Sequence, residues 1–233
     1  MRSIFALIIA VLMLNFTPDT TGKRDTTPAN REQLPIFSFG VIADIQYCDC
    51  DPLGSRFYRS SLTKLKDAIT SFRNDNPAFL INLGDLIEKD FSSYKAVYSI
   101  LDTAGIKVYH TTGNHDYSVE PRLKRSIPQL NKNKEGYYSF NYSTFRFIVL
   151  NGNELSTYST SNKSEIKKAE DYILNLKTRE EINGQEWNGG ISTKQMVWLT
   201  NQLIAAKNNN DKVFIICHFP VFPYNEHNLL NSR

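Results

Sequence analysis

Between Val108 and Tyr117 the chain reads Val-Tyr-His-Thr-Thr-Gly-Asn-His-Asp-Tyr, a short apolar run that stops at Gly113-Asn114-His115-Asp116. A glycine that lets the backbone turn, followed by an amide oxygen, an imidazole and a carboxylate, packs poorly but suits a metal-assisted hydrolytic site. Two upstream runs end in the same manner, at Ala43-Asp44-Ile45-Gln46 and at Leu83-Gly84-Asp85, and a later one delivers His218. Asp44, Gln46, Asp85, Asn114 and His218 are oxygen and imidazole donors with no required thiolate, a set that suits manganese, iron or zinc. Asp85 can bridge two divalent ions through its two oxygens. Two ions about 3.5–4 Å apart can activate water and polarise a phosphoryl group. Taken singly, each residue also has an ordinary structural role, as a helix cap, a backbone partner or a core histidine. It is their order, each after its own apolar run, that favours a site.

His115 follows Asn114 too closely to reach the same ion and is suited to protonating, or stabilising charge on, a leaving oxygen. Glu88, three residues beyond Asp85, and Asp116 are the candidates to hold its tautomer. Arg56 and Arg59 sit near the start of a helix at the Asp44 edge, where guanidinium groups and a helix N-terminus both favour an anionic substrate. Asn114 completes the residues expected to touch that substrate.

These side chains converge only if several strands end at one edge of a sheet, where open α/β sheets place their sites. Ile36 to Ala43, Ala78 to Leu83 and Ile106 to His110 read as buried strands. The helices between them span about Phe57 to Asn74, with Leu62, Leu65, Ile69 and Phe72 on one face, and about Ser92 to Thr103, with Tyr94, Val97, Tyr98 and Leu101. This alternation predicts parallel right-handed crossovers. Beyond the Gly113 corner the pattern changes. Gly136 to Asn141 and Thr144 to Leu150 read as paired strands. A polar excursion follows, with one helix near Ser164 to Thr178. Ser192 to Gln195 is a capping box opening a helix to about Lys207, and Lys212 to Cys217 is a further buried strand.

With 27 Lys and Arg against 24 Asp and Glu, the net charge of +3 is too small and too scattered for a nucleic-acid partner. Arg2 precedes an apolar run from Ile4 to Leu14, long enough for the core of an export signal and short for a membrane span. The expected organisation is a signal peptide or N-terminal anchor at 1–16, a polar linker at 17–34 and one domain at 35–233. The destination would be periplasmic or secreted, with no stable span beyond a possible uncleaved signal. Nothing in the sequence fixes an oligomeric state. Cys48 and Cys50, separated by one residue, look too close for an unstrained bridge, so free thiols or an occasional redox-sensitive pairing are expected. A soft-metal site on the two thiols is the less favoured alternative.

The order Asp44-x-Gln46, Gly84-Asp85-x-x-Glu88, Gly113-Asn114-His115-Asp116 and an apolar strand ending at His218 resembles the calcineurin-like metallophosphoesterases. Ala43 to Asp51 and Arg56 to Leu62 resemble, within them, the manganese-dependent ADP-ribose/CDP-alcohol diphosphatase group, which carries glutamine where most of the superfamily has histidine. The resemblance covers about Phe37 to Leu230. It implies an α/β fold of two sandwiched sheets flanked by helices, and two divalent ions. It also implies hydrolysis of a small-molecule phosphoester or of the pyrophosphate in a nucleoside diphosphate compound. By family role, Asp44 and Gln46 hold the first ion, Asp85 bridges, Asn114 and His218 hold the second, and His115 assists the leaving group. The family closes its site with a Gly-His-x-His segment and further strands, which this sequence lacks; its later histidine, His227, lies in a polar context. The expectation is a C-terminally incomplete phosphohydrolase, with a phosphate- or nucleotide-binding remnant without turnover as the alternative.

Overall fold

The computed structural model describes residues 36–130 and 134–220. The expected export signal and linker at 1–34, and His227, lie outside them. Three parallel strands, β1 (Gly40–Ile42), β2 (Leu80–Asn82) and β3 (Val108–His110), form one sheet with β2 in the middle. They are shorter than the apolar runs that contain them, although pairing continues at both ends, with Ala78 N donating to Ser38 O and Asp44 N to Gly84 O. The crossovers are helices α1 (Ser61–Asp75) and α2 (Ser93–Leu101). α1 stops at Asn76, whose left-handed backbone (φ 48°) lets its N–H reach Phe72 O before Pro77. Gly105 closes the second crossover with φ 72°.

The second sheet pairs β4 (Tyr138–Tyr142) with β5 (Phe145–Val149) in antiparallel register, turning through Ser143. β6 (Lys212–Ile216) then lies parallel to β5. Between β5 and β6 the chain forms α4 (Lys163–Thr178), which buries Ala169 and Ile173, and α5 (Thr193–Asn208), which packs on β5 and β6. Short α3 (Ile127–Leu130) lies between β3 and β4.

Side-chain alternation along β2 explains the layering. Phe79 and Ile81 face the second sheet and meet Phe147, Val149 and Ile216. Leu80 faces the helices and joins Leu65, Ile69, Val97 and Ile100. The seam between the sheets uses seven of the chain's 14 phenylalanines, Phe37, Phe39, Phe79, Phe140, Phe145, Phe147 and Phe214. Phe79 sits edge-on to Tyr109, Phe140 and Phe147 at ring separations of 5.1–5.5 Å. Such pairs add about 0.5–1.5 kcal/mol each beyond the area they bury.

Two local expectations are corrected. Cys48 and Cys50 form a disulfide: the tripeptide folds back until their Cα atoms are 5.2 Å apart, within the range a bridge spans. Cys217 is free. Of the capping box, only half forms. Ser192 Oγ accepts from Gln195 N, but the Gln195 side chain turns inward to Asn151 N and O. Glu154 takes over its part, accepting from Ser192 N and Oγ and from Gln195 Nε2. The start of α5 is thereby tied to the segment that leaves β5.

Candidate metal centre

The loops after β1 and β2 run side by side past the strand ends, with Gln46 N donating to Asp85 O and Tyr47 N to Leu86 O. Three of the predicted donors occupy left-handed backbone, Asp44 at φ 53°, Gln46 at 44° and Asp85 at 55°. Residues other than glycine rarely adopt it, and it persists where surrounding contacts over-determine it, often at functional sites. Gly84, at φ 100°, passes so near the third loop that a Cβ there would lie 2.4 Å from Gly113 N.

Asp116 ties these loops together. It is 1 % exposed, and its carboxylate accepts from Asp85 N, Leu86 N, Gly113 N and Tyr94 Oη at 2.9–3.0 Å. Burial, with Asp85 next in effect, pushes its carboxyl up to about 6. The expectation that Asp116 holds the His115 tautomer is therefore corrected: its oxygens are taken up by the loops. Tyr94, read from the sequence as part of an apolar helix face, reaches over from α2 to complete this knot.

Asp44, Asp85 and His218 each bring one donor atom within 4.8 Å of the others. Asp85 is buried; its Oδ1 accepts from His115 N at 2.9 Å, and its Oδ2 lies 3.3 Å from Gln46 Nε2 and 3.6 Å from His218 Nε2. His218 Nδ1 is 2.9 Å from Leu83 O, so the N–H is on that nitrogen and the Nε2 lone pair faces Asp85 Oδ2 and, at 3.3 Å, Asn114 Oδ1. Rotating the Gln46 amide end over end would add another oxygen to this group. Partial desolvation raises the Asp44 carboxyl, and Asp85 raises it further, against the lowering influence of His218, His115 and Arg56. Ligating atoms of Asp44, Asp85 and His218 converging this closely, with burial and the neighbouring Asp85 raising the Asp44 carboxyl, are what a divalent cation relieves. The residues present fit a metal centre. All five predicted donors meet at this point.

Beside it, His115 Nδ1 lies 3.2 Å from Glu88 Oε2, a buried oxygen with no other close partner, and Arg56 Nη1 lies 3.7 Å from Glu88 Oε1. Glu88 thus has the position expected of a group holding the His115 tautomer, and half-exposed Arg56 stands at the rim. Arg59 does not join them: it is committed to Asp49 and, at 2.8 Å, to Asp51. The expectation that Arg59 meets substrate gives way to that pairing.

Gly113 tests this geometry. A Cβ there would lie 2.0 Å from Asp85 Oδ1 and 2.6 Å from His218 Cε1. Gly113→Ala is expected to cost about 1–3 kcal/mol through overpacking and, by displacing Asp85, to lower turnover at least about 100-fold. Thermal melts and steady-state assays on one preparation check it; parent-level turnover would show that the two loops do not approach this closely.

Comparison with known proteins gives a consistent picture. The family model for calcineurin-like phosphoesterases matches residues 37–232. The manganese-dependent ADP-ribose/CDP-alcohol diphosphatase of Xenopus tropicalis is 32% identical over 242 residues, covering 84% of this chain and 71% of that protein. The mouse protein of the same name is 30% identical, with 85% and 70% covered. Among solved structures, a dimetal phosphatase from Danio rerio superposes with a TM-score of 0.71 at 24% identity, over 85% of this chain and 74% of that one. This last likeness bears on the fold, the two-sheet arrangement with flanking helices.

Proposed function

The chain belongs to the calcineurin-like phosphoesterase family, and from that membership we propose that it hydrolyses the diphosphate bond of nucleoside diphosphate derivatives, such as ADP-ribose or CDP-alcohols, with two manganese ions. The observation that carries this reading is the meeting of Asp44, Gln46, Asp85 and Asn114 with His218, beside the Glu88–His115 pair. The names of the relatives supply the substrate class and the metal.

In this reading Asp44, Gln46 and Asp85 would hold one ion, and Asp85, Asn114 and His218 the other. Bound divalent ions supply Lewis-acid polarisation of phosphoryl oxygens and lower the pKa of water. The rest is done by side chains. Leu83 O keeps His218 in the tautomer that turns Nε2 toward the centre. Glu88 holds the His115 Nδ1 proton, so Nε2 is the nitrogen presented to the departing oxygen and the one that gives up a proton to it. Arg56 at the rim attracts the anionic substrate.

His115→Ala is expected to leave metal content near normal while slowing turnover by roughly 10²–10⁴-fold, the usual scale of a general-acid contribution. Metal analysis beside single-turnover kinetics checks both halves, and loss of metal would move His115 into the ligand set. The substrate reading is tested with manganese-loaded protein on ADP-ribose, CDP-choline, a cyclic nucleotide and a chromogenic diester. Preference for the first two supports it, and preference for the diester or the cyclic nucleotide overturns it.

We also read the chain as exported, to a periplasm or to the medium. The apolar run behind Arg2 supports this, as does the Cys48–Cys50 bond, since disulfides persist in oxidising compartments. Among the described residues no helix is long and apolar enough to cross a membrane. Fractionation of cells expressing the full chain checks the location.

A further inference from the structure

The segment from Gln46 to Arg59 is fastened at several points around one covalent bond. The Cys48–Cys50 disulfide closes across Asp49, with Cys48 buried and Cys50 partly open to solvent. Asp49 and Asp51, flanking Cys50, both pair with Arg59 just before α1. Upstream, Tyr47 bridges to Ile87, with Tyr47 N donating to Leu86 O and Glu88 N donating to Tyr47 O. Downstream, Leu53 and Arg56 exchange two backbone hydrogen bonds. Gln46, two residues before the bond, is in left-handed backbone that its surroundings must impose.

We propose that the Cys48–Cys50 disulfide is a reversible redox site, opened by a dithiol reductant, whose opening loosens Gln46 and lowers the affinity of the centre for divalent metal. In the first step a thiolate of the reductant attacks the accessible Cys50 sulfur, forming a mixed disulfide and releasing Cys48 as a thiolate. The reductant's second thiolate then attacks its own sulfur in that mixed disulfide and releases Cys50. Two electrons and two protons pass to the protein, which gains two thiols, and the reductant leaves as a disulfide. With the tripeptide open, Asp49 and Asp51 are no longer held at a fixed spacing for Arg59, and the turn that follows Gln46 loses its covalent closure. Supports one step removed from a metal change its affinity about 10–100-fold, so a loss of about tenfold is expected.

The inference rests on the metal-centre reading, and the test separates the two. Full-length protein is prepared oxidised, and reduced with dithiothreitol followed by anaerobic desalting. Thiols are counted and manganese is titrated by calorimetry in each state. Reduction should add two titratable thiols and weaken manganese binding about tenfold. Reoxidation should restore it, and Cys50→Ser should match the reduced state. No change in thiol count, equal manganese affinity in the two states, or oxidised-state affinity in Cys50→Ser would each overturn the switch. Failure to bind manganese in either state would overturn the metal centre along with it.

Discussion

Asp85→Asn is expected to give a folded protein that neither holds metal nor turns over. The replacement keeps the shape and one oxygen, so an acceptor for His115 N can remain at the Oδ1 position, and the backbone bonds from Asp85 N to Asp116 and from Gln46 N to Asp85 O need not change. The charge is lost, and an N–H group replaces the oxygen that faces Gln46 and His218. A donor pointing into a centre made of acceptors repels a cation. Removing partners one step from an ion costs up to about 100-fold in affinity, and a ligand proposed to be shared by both ions should cost more than that. Loss of a single preorganised electrostatic group alone lowers kcat by about 10²–10³-fold. Circular dichroism, metal analysis and assay of the same sample check all three points. A variant that keeps its metal and its turnover would remove Asp85 from the bridge.

The part of this arrangement legible in the sequence is the part carried by side-chain pattern. Each apolar run that ends in a donor became a strand or an extension of one. The crossover helices followed from three- and four-residue spacing at Leu65, Ile69, Val97 and Leu101. What was not legible depends on contacts between segments distant in the chain. Nothing local requires φ of 44° at Gln46; that conformation belongs to a loop pinned to Asp85 O and Leu86 O across the sheet edge. The Cys48–Cys50 bond depends on a fold-back that one intervening residue does not announce. Arg59 lies near the start of α1, as its place in the sequence indicates, but its partners Asp49 and Asp51 lie ten and eight residues back in a loop whose shape the sequence does not give. The capping box at Ser192 has the same lesson in reverse, since its local pattern was right and a residue 38 positions upstream, Glu154, displaced half of it.

Asp116 is the sharpest instance, because its place in the Gly113–Asp116 motif suggested chemistry and its surroundings make it structural. Replacing it with alanine should damage folding more than any ligand change. Three backbone N–H groups, on Asp85, Leu86 and Gly113, and the Tyr94 hydroxyl would lose an acceptor in a place water barely reaches. Each buried orphan costs about 1–3 kcal/mol. Part of that sum is offset because the variant no longer carries a desolvated carboxylate, one whose proton affinity burial already raises. The expected net loss is about 3–5 kcal/mol, the range for breaking a buried charged partner. That is a large share of the 5–15 kcal/mol typical of a folded domain. Asp116→Asn should fall between parent and alanine, since one amide oxygen can still accept while the amide nitrogen faces donors. Urea unfolding of the three proteins, read by near-ultraviolet circular dichroism, checks the order. If Asp116→Ala unfolds at the parent's midpoint while its turnover collapses, Asp116 acts in the reaction and the loops are held together by other contacts.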